Sequence, residues 1–337
     1  MLSDQTILIT GITGSLGSAL ATRILAGEWG VPERVIGLSR DEEKQHRLRI
    51  VDHGRRKNDS APGAPVCPLE LRIGDVRDEA TIASALDGVG VVFHSAALKQ
   101  VPTCEYHPEE ALRTNVGGPQ NIARVIAERK LPVEVVVGIS TDKACLPVSV
   151  LGMTKALAER VFIRANLAAP NTRFLSLRSG NLIGSRGSVI PHFLDQIAAG
   201  GPVTLTDPSM TRFLLTVDTA VEAAIECVRS GKRGEILVPA APSVRLGDLA
   251  AALIGERKIE TEILGARPGE KRHEWLISEE EGERTVVSRD HFAITPHLPE
   301  LREERAGAAW LRRELRSDEE PLPLSEVEEL IATIETR

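Results

Sequence analysis

Short apolar runs alternate with longer amphipathic stretches through the first half of the chain. Thr6 to Thr10 (TILIT), Arg34 to Leu38 (RVIGL) and Leu69 to Ile73 read as strands, as do Val89 to His94, Val133 to Ile139 and Arg173 to Leu177. Between them Ser15 to Ala26, Ala80 to Leu86, Pro108 to Arg129 and Val150 to Ala168 read as helices. Strands rich in Val, Ile and Leu at successive positions belong to a parallel sheet covered on both faces. The expected fold class is α/β, a doubly wound parallel sheet.

Two regions depart from this rhythm. Arg49 to Pro68 is polar, basic at first and then rich in Pro and Gly. It reads as a helix end and an exposed loop, either a surface insertion or a loop that closes over a site or a subunit contact. After Asn181 the alternation weakens. Strand-like pieces (Val203 to Thr206, Glu235 to Val238, Thr261 to Leu264) mix with helices at Pro191 to Ala199, Thr216 to Ser230 and Leu246 to Ile254. The tail is acidic from Arg316 and ends in a helix-like run, Leu324 to Thr336.

Composition narrows the classes. With 337 residues, 42% hydrophobic and 26% charged, the chain is an ordinary globular protein of about two domains. A net charge of −7 lacks the footprint of a nucleic-acid binder, and 3% aromatics leaves few rings for stacking bases. No apolar run approaches the ~18 residues of a membrane span, and no basic leader precedes a cleavage site. The expected address is the cytoplasm. Cys67, Cys104, Cys145 and Cys227 are widely spaced and form no CxxC pair, so neither zinc nor disulfides are expected. They read as small buried hydrophobes. His94, His192 and His273 form no i, i+4 pair, and no metal site is expected.

Directly after the first strand stands Thr10-Gly11-Ile12-Thr13-Gly14-Ser15-Leu16-Gly17. A strand, a glycine-rich turn and a helix in that order form a pyrophosphate cradle. Gly11 permits the tight turn, Gly14 lets backbone N–H groups approach the phosphates, and Gly17 allows close helix–strand packing. The helix N-terminus adds its dipole. Residues 1–180 are therefore read as the dinucleotide-binding unit with the catalytic loop and helix. Residues 181–337 are read as a smaller substrate lobe, one strand of which could return to the first sheet. The second strand ends in Ser39-Arg40, with Lys44 a turn later, and this suits a ribose 2′-phosphate. NADP is favoured. Asp41 leaves NAD open, because an acid at this position takes the 2′-hydroxyl.

Further motifs carry a family resemblance. They are Gly74-Asp75-Val76-Arg77-Asp78, Ala96-Ala97-Leu98-Lys99-Gln100-Val101-Pro102 and Ser140-Thr141-Asp142-Lys143-Ala144. Later come Gly184 to Pro191 (GSRGSVIP), Asp207 to Phe213 (DPSMTRF), Gly234 to Pro239 and Arg267-Pro268-Gly269-Glu270-Lys271. From about Thr6 to Arg289 the chain resembles the extended short-chain dehydrogenases/reductases, in particular the nucleotide-sugar 4,6-dehydratases acting on UDP-N-acetylglucosamine. The resemblance implies a redox-neutral elimination. Hydride passes from carbon 4 to the nicotinamide, the carbon 5 proton and the 6-hydroxyl leave as water, and hydride returns to carbon 6. It implies Asp142 as the acid for the 6-hydroxyl, Lys143 as the base at carbon 5 and Thr141 near the 4-oxygen. Lys155 would hold the nicotinamide ribose. Thr13, Ser15, Leu16, Asp75, Val76, Ala96, Ala97 and Lys99 fall at cofactor positions. Lys99, Asn181, Ser188, Val189, Thr204, Arg212, Arg267 and Glu270 fall at substrate positions. Relatives are commonly dimers or larger, so a homo-oligomer is expected.

One departure matters for mechanism. The superfamily uses Tyr-x-x-x-Lys on the helix after the catalytic loop. Here the stretch is Leu151-Gly152-Met153-Thr154-Lys155, and the only tyrosine, Tyr106, aligns with no catalytic position. Leucine accepts no proton, so the 4-hydroxyl proton falls to Thr141, Asp142 and Lys143 or to a water. Leu151 resembles the subset with an apolar methionine here, which retains the configuration at carbon 5. Ser179 stands where the family often has Tyr or Phe. Two rival readings are a nucleotide-sugar 4-epimerase and a non-catalytic dinucleotide-binding protein.

Overall fold

The computed structural model describes residues 1–59, 67–185, 187–265, 267–303 and 307–335. The first half runs β1 (Thr6–Thr10), α1 (Ser15–Leu25), β2 (Arg34–Ser39), α2 (Glu42–Asp59), β3 (Leu69–Ile73), α3 (Glu79–Ala85) and β4 (Val91–His94). It continues through α4 (Val101–Tyr106), α5 (Pro108–Asn115), α6 (Gly117–Arg129), β5 (Val135–Ile139), α7 (Val150–Ala168) and β6 (Arg173–Leu177). Then follow β7 (Asn181–Leu182), α8 (Val189–Ala198), β8 (Val203–Leu205), β9 (Thr211–Leu215), α9 (Val217–Ser230), β10 (Ile236–Pro239), β11 (Ser243–Arg245) and α10 (Leu246–Ile254). The last elements are β12 (Thr261–Ile263), β13 (Trp275–Ile277), α11 (Glu279–Gly282), β14 (Thr285–Val287), β15 (His291–Ile294), β16 (Leu315–Arg316) and α12 (Leu324–Glu335).

The main sheet has the order β14-β15-β10-β6-β5-β4-β1-β2-β3. Strands β1 to β6 and β10 are parallel, β15 is antiparallel to β10, and β14 is antiparallel to β15. The chain order reverses direction between β1 and β4, and the carboxyl ends of strands at such a reversal are where ligands bind in this fold class. Side-chain alternation sorts the core into two layers. Ile7 and Ile9 of β1 face a cluster with Leu20 and Ile24 of α1 and Ala224 of α9. Leu8, between them, faces the opposite cluster with Ile82, Ile122 and Phe162. The segments after β6 build a third cluster around Leu214, Val244, Leu249 and Val327.

The stretch expected as one helix over Pro108 to Arg129 is two helices that meet at Val116. Pro119 has no N–H to give the Asn115 carbonyl, so the helical bonding restarts. The helix entering the polar insertion, α2, extends to Asp59, and residues 60–66 of the expected loop lie outside the described residues.

A buried charge network ties the C-terminal segment to the sheet. Arg178, just past β6, uses all five guanidinium hydrogens. It donates to Glu159 of α7 (3.0 and 2.8 Å), to Glu281 of α11 (2.7 and 2.9 Å) and to the Leu276 carbonyl (2.9 Å). Glu159 also accepts from Ser140 Oγ at 2.6 Å, and Glu281 from Cys145 Sγ at 3.5 Å. The loop after β5 is thereby anchored at both ends. Burial alone would raise the Glu281 carboxyl, but the Arg178 guanidinium outweighs it and brings the group down to about 2.

Candidate active site

A cleft of about 940 Å³ opens at the carboxyl ends of the parallel strands. Its first wall is the glycine turn. Gly11 has φ +69, and a Cβ there would stand 2.7 Å from the Ala96 nitrogen. Gly14 is the N-cap of α1, with no side-chain capping bond and no acid in the first turn. That helix end leaves its positive dipole at the edge of the cleft, where an anion would be favoured. Thr13, Gly14, Ser15 and Leu16 line the cleft with Gly11. Gly17 does not line it. A Cβ on Gly17 would meet the Gly11 carbonyl at 2.4 Å, so this glycine sets the approach of helix to turn.

Ser39, Arg40, Lys44, Asp75 and Val76 line the cleft beyond β2 and β3. Arg40 is half exposed and lies 3.8 Å from Asp75. Asp41 accepts the backbone N–H of Lys44 at 2.9 Å and pairs with its ammonium. Ala96, Ala97 and Lys99 follow β4 and line the middle stretch. Asn115 fixes this loop, accepting from Leu98 N (2.8 Å) and donating to Leu98 O (3.0 Å).

The residues expected to be catalytic follow β5. Thr141 caps a single 3-10 turn, Asp142–Ala144, and Thr141 and Lys143 line the cleft. Asp142 does not; it is wholly buried behind them. Its Oδ1 accepts from Thr141 Oγ1 at 2.8 Å and from Lys143 Nζ at 3.0 Å, and its Oδ2 has no partner among the described residues. Burial raises the Asp142 carboxyl above its ordinary range, the nearby ammonium opposing this only in part. Asp142 therefore reaches the cleft through two intermediaries, a hydroxyl and an amine. Burial would lower Lys143, but Asp142 and Glu274 raise it above the ordinary lysine value.

Leu151 and Lys155 both line the cleft from α7. Leu151 is buried and packs with Cys104 and Ala111. Lys155 is buried and donates to the Ile139 carbonyl at 2.5 Å. Burial pulls its ammonium down to about 8, although Glu159 opposes the shift. His94 lies deeper, with Nδ1 2.8 Å from Thr10 Oγ1, and burial with the Lys155 charge brings it to about 3, so it is neutral. Tyr106 is 83% exposed on the surface, and all four cysteines are buried and free.

The remaining wall comes from the segments after β6. Asn181, Ser188, Val189, Thr204, Arg212, Arg267 and Glu270 all line it, as does Ser179. Asn181 accepts from Lys143 Nζ at 3.2 Å, and Arg212 donates to Glu270 at 3.0 Å. The cleft thus brings together every site residue expected from the sequence except Gly17 and Asp142. Sequence reasoning missed Glu274, a buried carboxylate in the cleft wall 3.2 Å from Lys143. It stands three residues past the RPGEK motif, and only the folded structure shows that its charge is buried.

Three comparisons place the chain among known proteins. It belongs to the polysaccharide biosynthesis protein family, whose model matches residues 7–296. A protein of Rickettsia massiliae named UDP-glucose 4-epimerase is 38% identical over 346 residues, covering 99% of this chain and 97% of that one. The X-ray structure of Pen from Bacillus thuringiensis superposes with a TM-score of 0.89 at 32% identity, each chain covered in full. The fold is also shared with a Streptomyces venezuelae dTDP-glucose 4,6-dehydratase crystallised with NAD, with a TM-score of 0.68 at 23% identity over 79% of this chain and 86% of that one. The architecture is that of the extended short-chain dehydrogenases/reductases.

Proposed function

We propose that the protein is a nucleotide-sugar 4,6-dehydratase acting on UDP-N-acetylglucosamine or a close relative. The observation that carries this reading is the unit Thr141-Asp142-Lys143. It supplies two proton-transfer groups beside the cleft, joined through Asp142 Oδ1. Hydride chemistry at carbon 4 alone would not need such a pair, whereas elimination of water needs both an acid and a base.

The glycine turn and the uncapped α1 N-terminus fit a dinucleotide pyrophosphate, and Lys155 fits the nicotinamide ribose. A bound nicotinamide would supply the acceptance and return of hydride. NADP is favoured because Asp41 already serves Lys44, leaving Arg40 to meet a 2′-phosphate. Arg212 and Arg267 in the opposite wall suit a nucleoside diphosphate. Leu151 takes no proton. The Thr141 hydroxyl, 2.8 Å from Asp142, is the route by which the 4-hydroxyl proton reaches a buried carboxylate. Asp142, whose carboxyl burial raises, then returns that proton to the departing 6-hydroxyl through the same contacts, and Lys143 acts at carbon 5. The absence of tyrosinate at position 151 supports retention at carbon 5.

The test is turnover of UDP-N-acetylglucosamine by Asp142→Asn and Lys143→Ala variants. Each loses the 4-keto product by at least about 100-fold while keeping dinucleotide affinity. Either variant remaining active overturns these roles. The second reading is a 4-epimerase, favoured by the name of the Rickettsia relative. It predicts a 4-epimer and no keto product.

A further inference from the structure

Lys143 stands between two carboxylates that come from different parts of the chain. Its Nζ is 3.0 Å from Asp142 Oδ1, on its own turn, and 3.2 Å from Glu274 Oε1, on the segment leading into β13. Asn181 completes the set at 3.2 Å. Arg212 of β9 also faces this lysine and opposes its charge, but its guanidinium is engaged by Glu270. Lys271 lies 3.3 Å from the other oxygen of Glu274, an approach without hydrogen-bond geometry. Glu274 is 1% exposed and borders the cleft.

Two facts conflict unless Glu274 has a task. A base at carbon 5 must be a free amine. Two carboxylates in contact keep this amine an ammonium at rest. One of them, Asp142, is engaged by the Thr141 hydroxyl and, in the reading above, is committed to the leaving hydroxyl. The carboxylate of Glu274 is the remaining anion within reach.

We propose that Glu274 is a positioning residue that acts through Lys143, holding its ammonium in the resting site and taking its proton when the amine is required. The inference rests on the dehydratase reading above. The step is balanced: a Lys143 Nζ–H bond breaks, a Glu274 Oε1–H bond forms, and the ion pair becomes a neutral amine and a carboxylic acid. A substrate that fills the cleft and expels water favours this exchange, because a neutral pair tolerates low dielectric better than two ions. The amine then takes the carbon 5 proton and is again an ammonium. As carbon 5 is reprotonated, the ammonium gives up a proton to it and Glu274 returns its own to the amine, which restores the resting ion pair.

The test combines Glu274→Gln and Glu274→Asp with two readouts. In the wild type the proton moves internally, and kcat is flat with pH through neutrality. In Glu274→Gln, Lys143 must lose its proton to water. Its kcat falls by about 100-fold near pH 7 at unchanged KM and then climbs about tenfold per pH unit. Glu274→Asp restores a flat profile. The second readout needs no turnover: NMR of reductively 13C-methylated protein, with Lys143 assigned by its loss in Lys143→Arg. Its titration moves down by about one to three pH units in Glu274→Gln. A loss of kcat that is equal at every pH, or an unmoved Lys143 titration, overturns the proposal. If the wild type gives no keto product but the titration moves, the dehydratase reading falls and the Lys143–Glu274 pair stands.

Discussion

Replacing Arg178 by Met removes a charge that satisfies two buried carboxylates at once. The side chains of Arg178, Glu159 and Glu281 are 2%, 4% and 10% exposed, so water cannot take over the five lost hydrogen bonds. Breaking a buried pair of this kind costs ~3–5 kcal/mol. The shift of the Glu281 carboxyl, to which the Ser278 N–H and Arg284 also contribute, is of the same order. Glu281 falls from an ordinary 4.5 to about 2, and each unit corresponds to ~1.4 kcal/mol, which makes ~3 kcal/mol for this one group. The sign follows from the direction of the shift. In the wild type the contribution is present above the ordinary carboxylate value and is lost as pH falls towards about 2. In Arg178→Met, burial without the guanidinium raises both carboxyls. The variant is then penalised most near pH 7 and is relieved as acid protonates them. Equilibrium urea unfolding near pH 7 and near pH 5 reads both effects. The expected loss is ~3–5 kcal/mol near neutrality, clearly smaller near pH 5. A loss under ~1 kcal/mol, or one that ignores pH, would refute the reasoning. Because Glu159 holds Ser140 and Glu281 holds Cys145, the variant also loses kcat through a looser catalytic turn.

Other predictions follow from single residues. Gly11→Ala places a Cβ 2.7 Å from the Ala96 backbone at φ +69, and isothermal titration finds dinucleotide binding lost. Arg40→Ala weakens NADP about tenfold or more and leaves NAD within about twofold, as competition binding will show. Lys155 carries its proton only below about 8, so dinucleotide affinity declines above that pH, and Lys155→Met removes the dependence. Leu151→Ala opens a cavity against Cys104 and Ala111 and costs ~2–5 kcal/mol by denaturant unfolding, while the chemistry at carbon 5 persists.

The parallel strands were legible because most are short apolar runs, the clearest being Val135-Val136-Val137. The glycine turn was legible because it combines a required φ at Gly11 with close packing at Gly17. The break at Val116 was missed, although Gly117-Gly118-Pro119 was its signal. Strands of two or three residues, such as β7 and β11, carry no periodicity and exist through their pairing with β9. The site was legible where a motif names a residue, as at Thr141 and Arg267. Burial is a property of the tertiary structure. The sequence could therefore show neither that Asp142 lies behind Thr141 and Lys143 nor that Glu274 faces Lys143 from 131 residues away.

The proposed elimination at carbons 5 and 6 depends on the groups after β5. Incubation with UDP-N-acetylglucosamine in deuterated water, followed by proton NMR, tests it directly. The expected product is a 4-keto-6-methyl sugar with deuterium at carbon 5 and ring couplings that show retained configuration. A 4-epimer, or a substrate returned unchanged in the presence of dinucleotide, would contradict it.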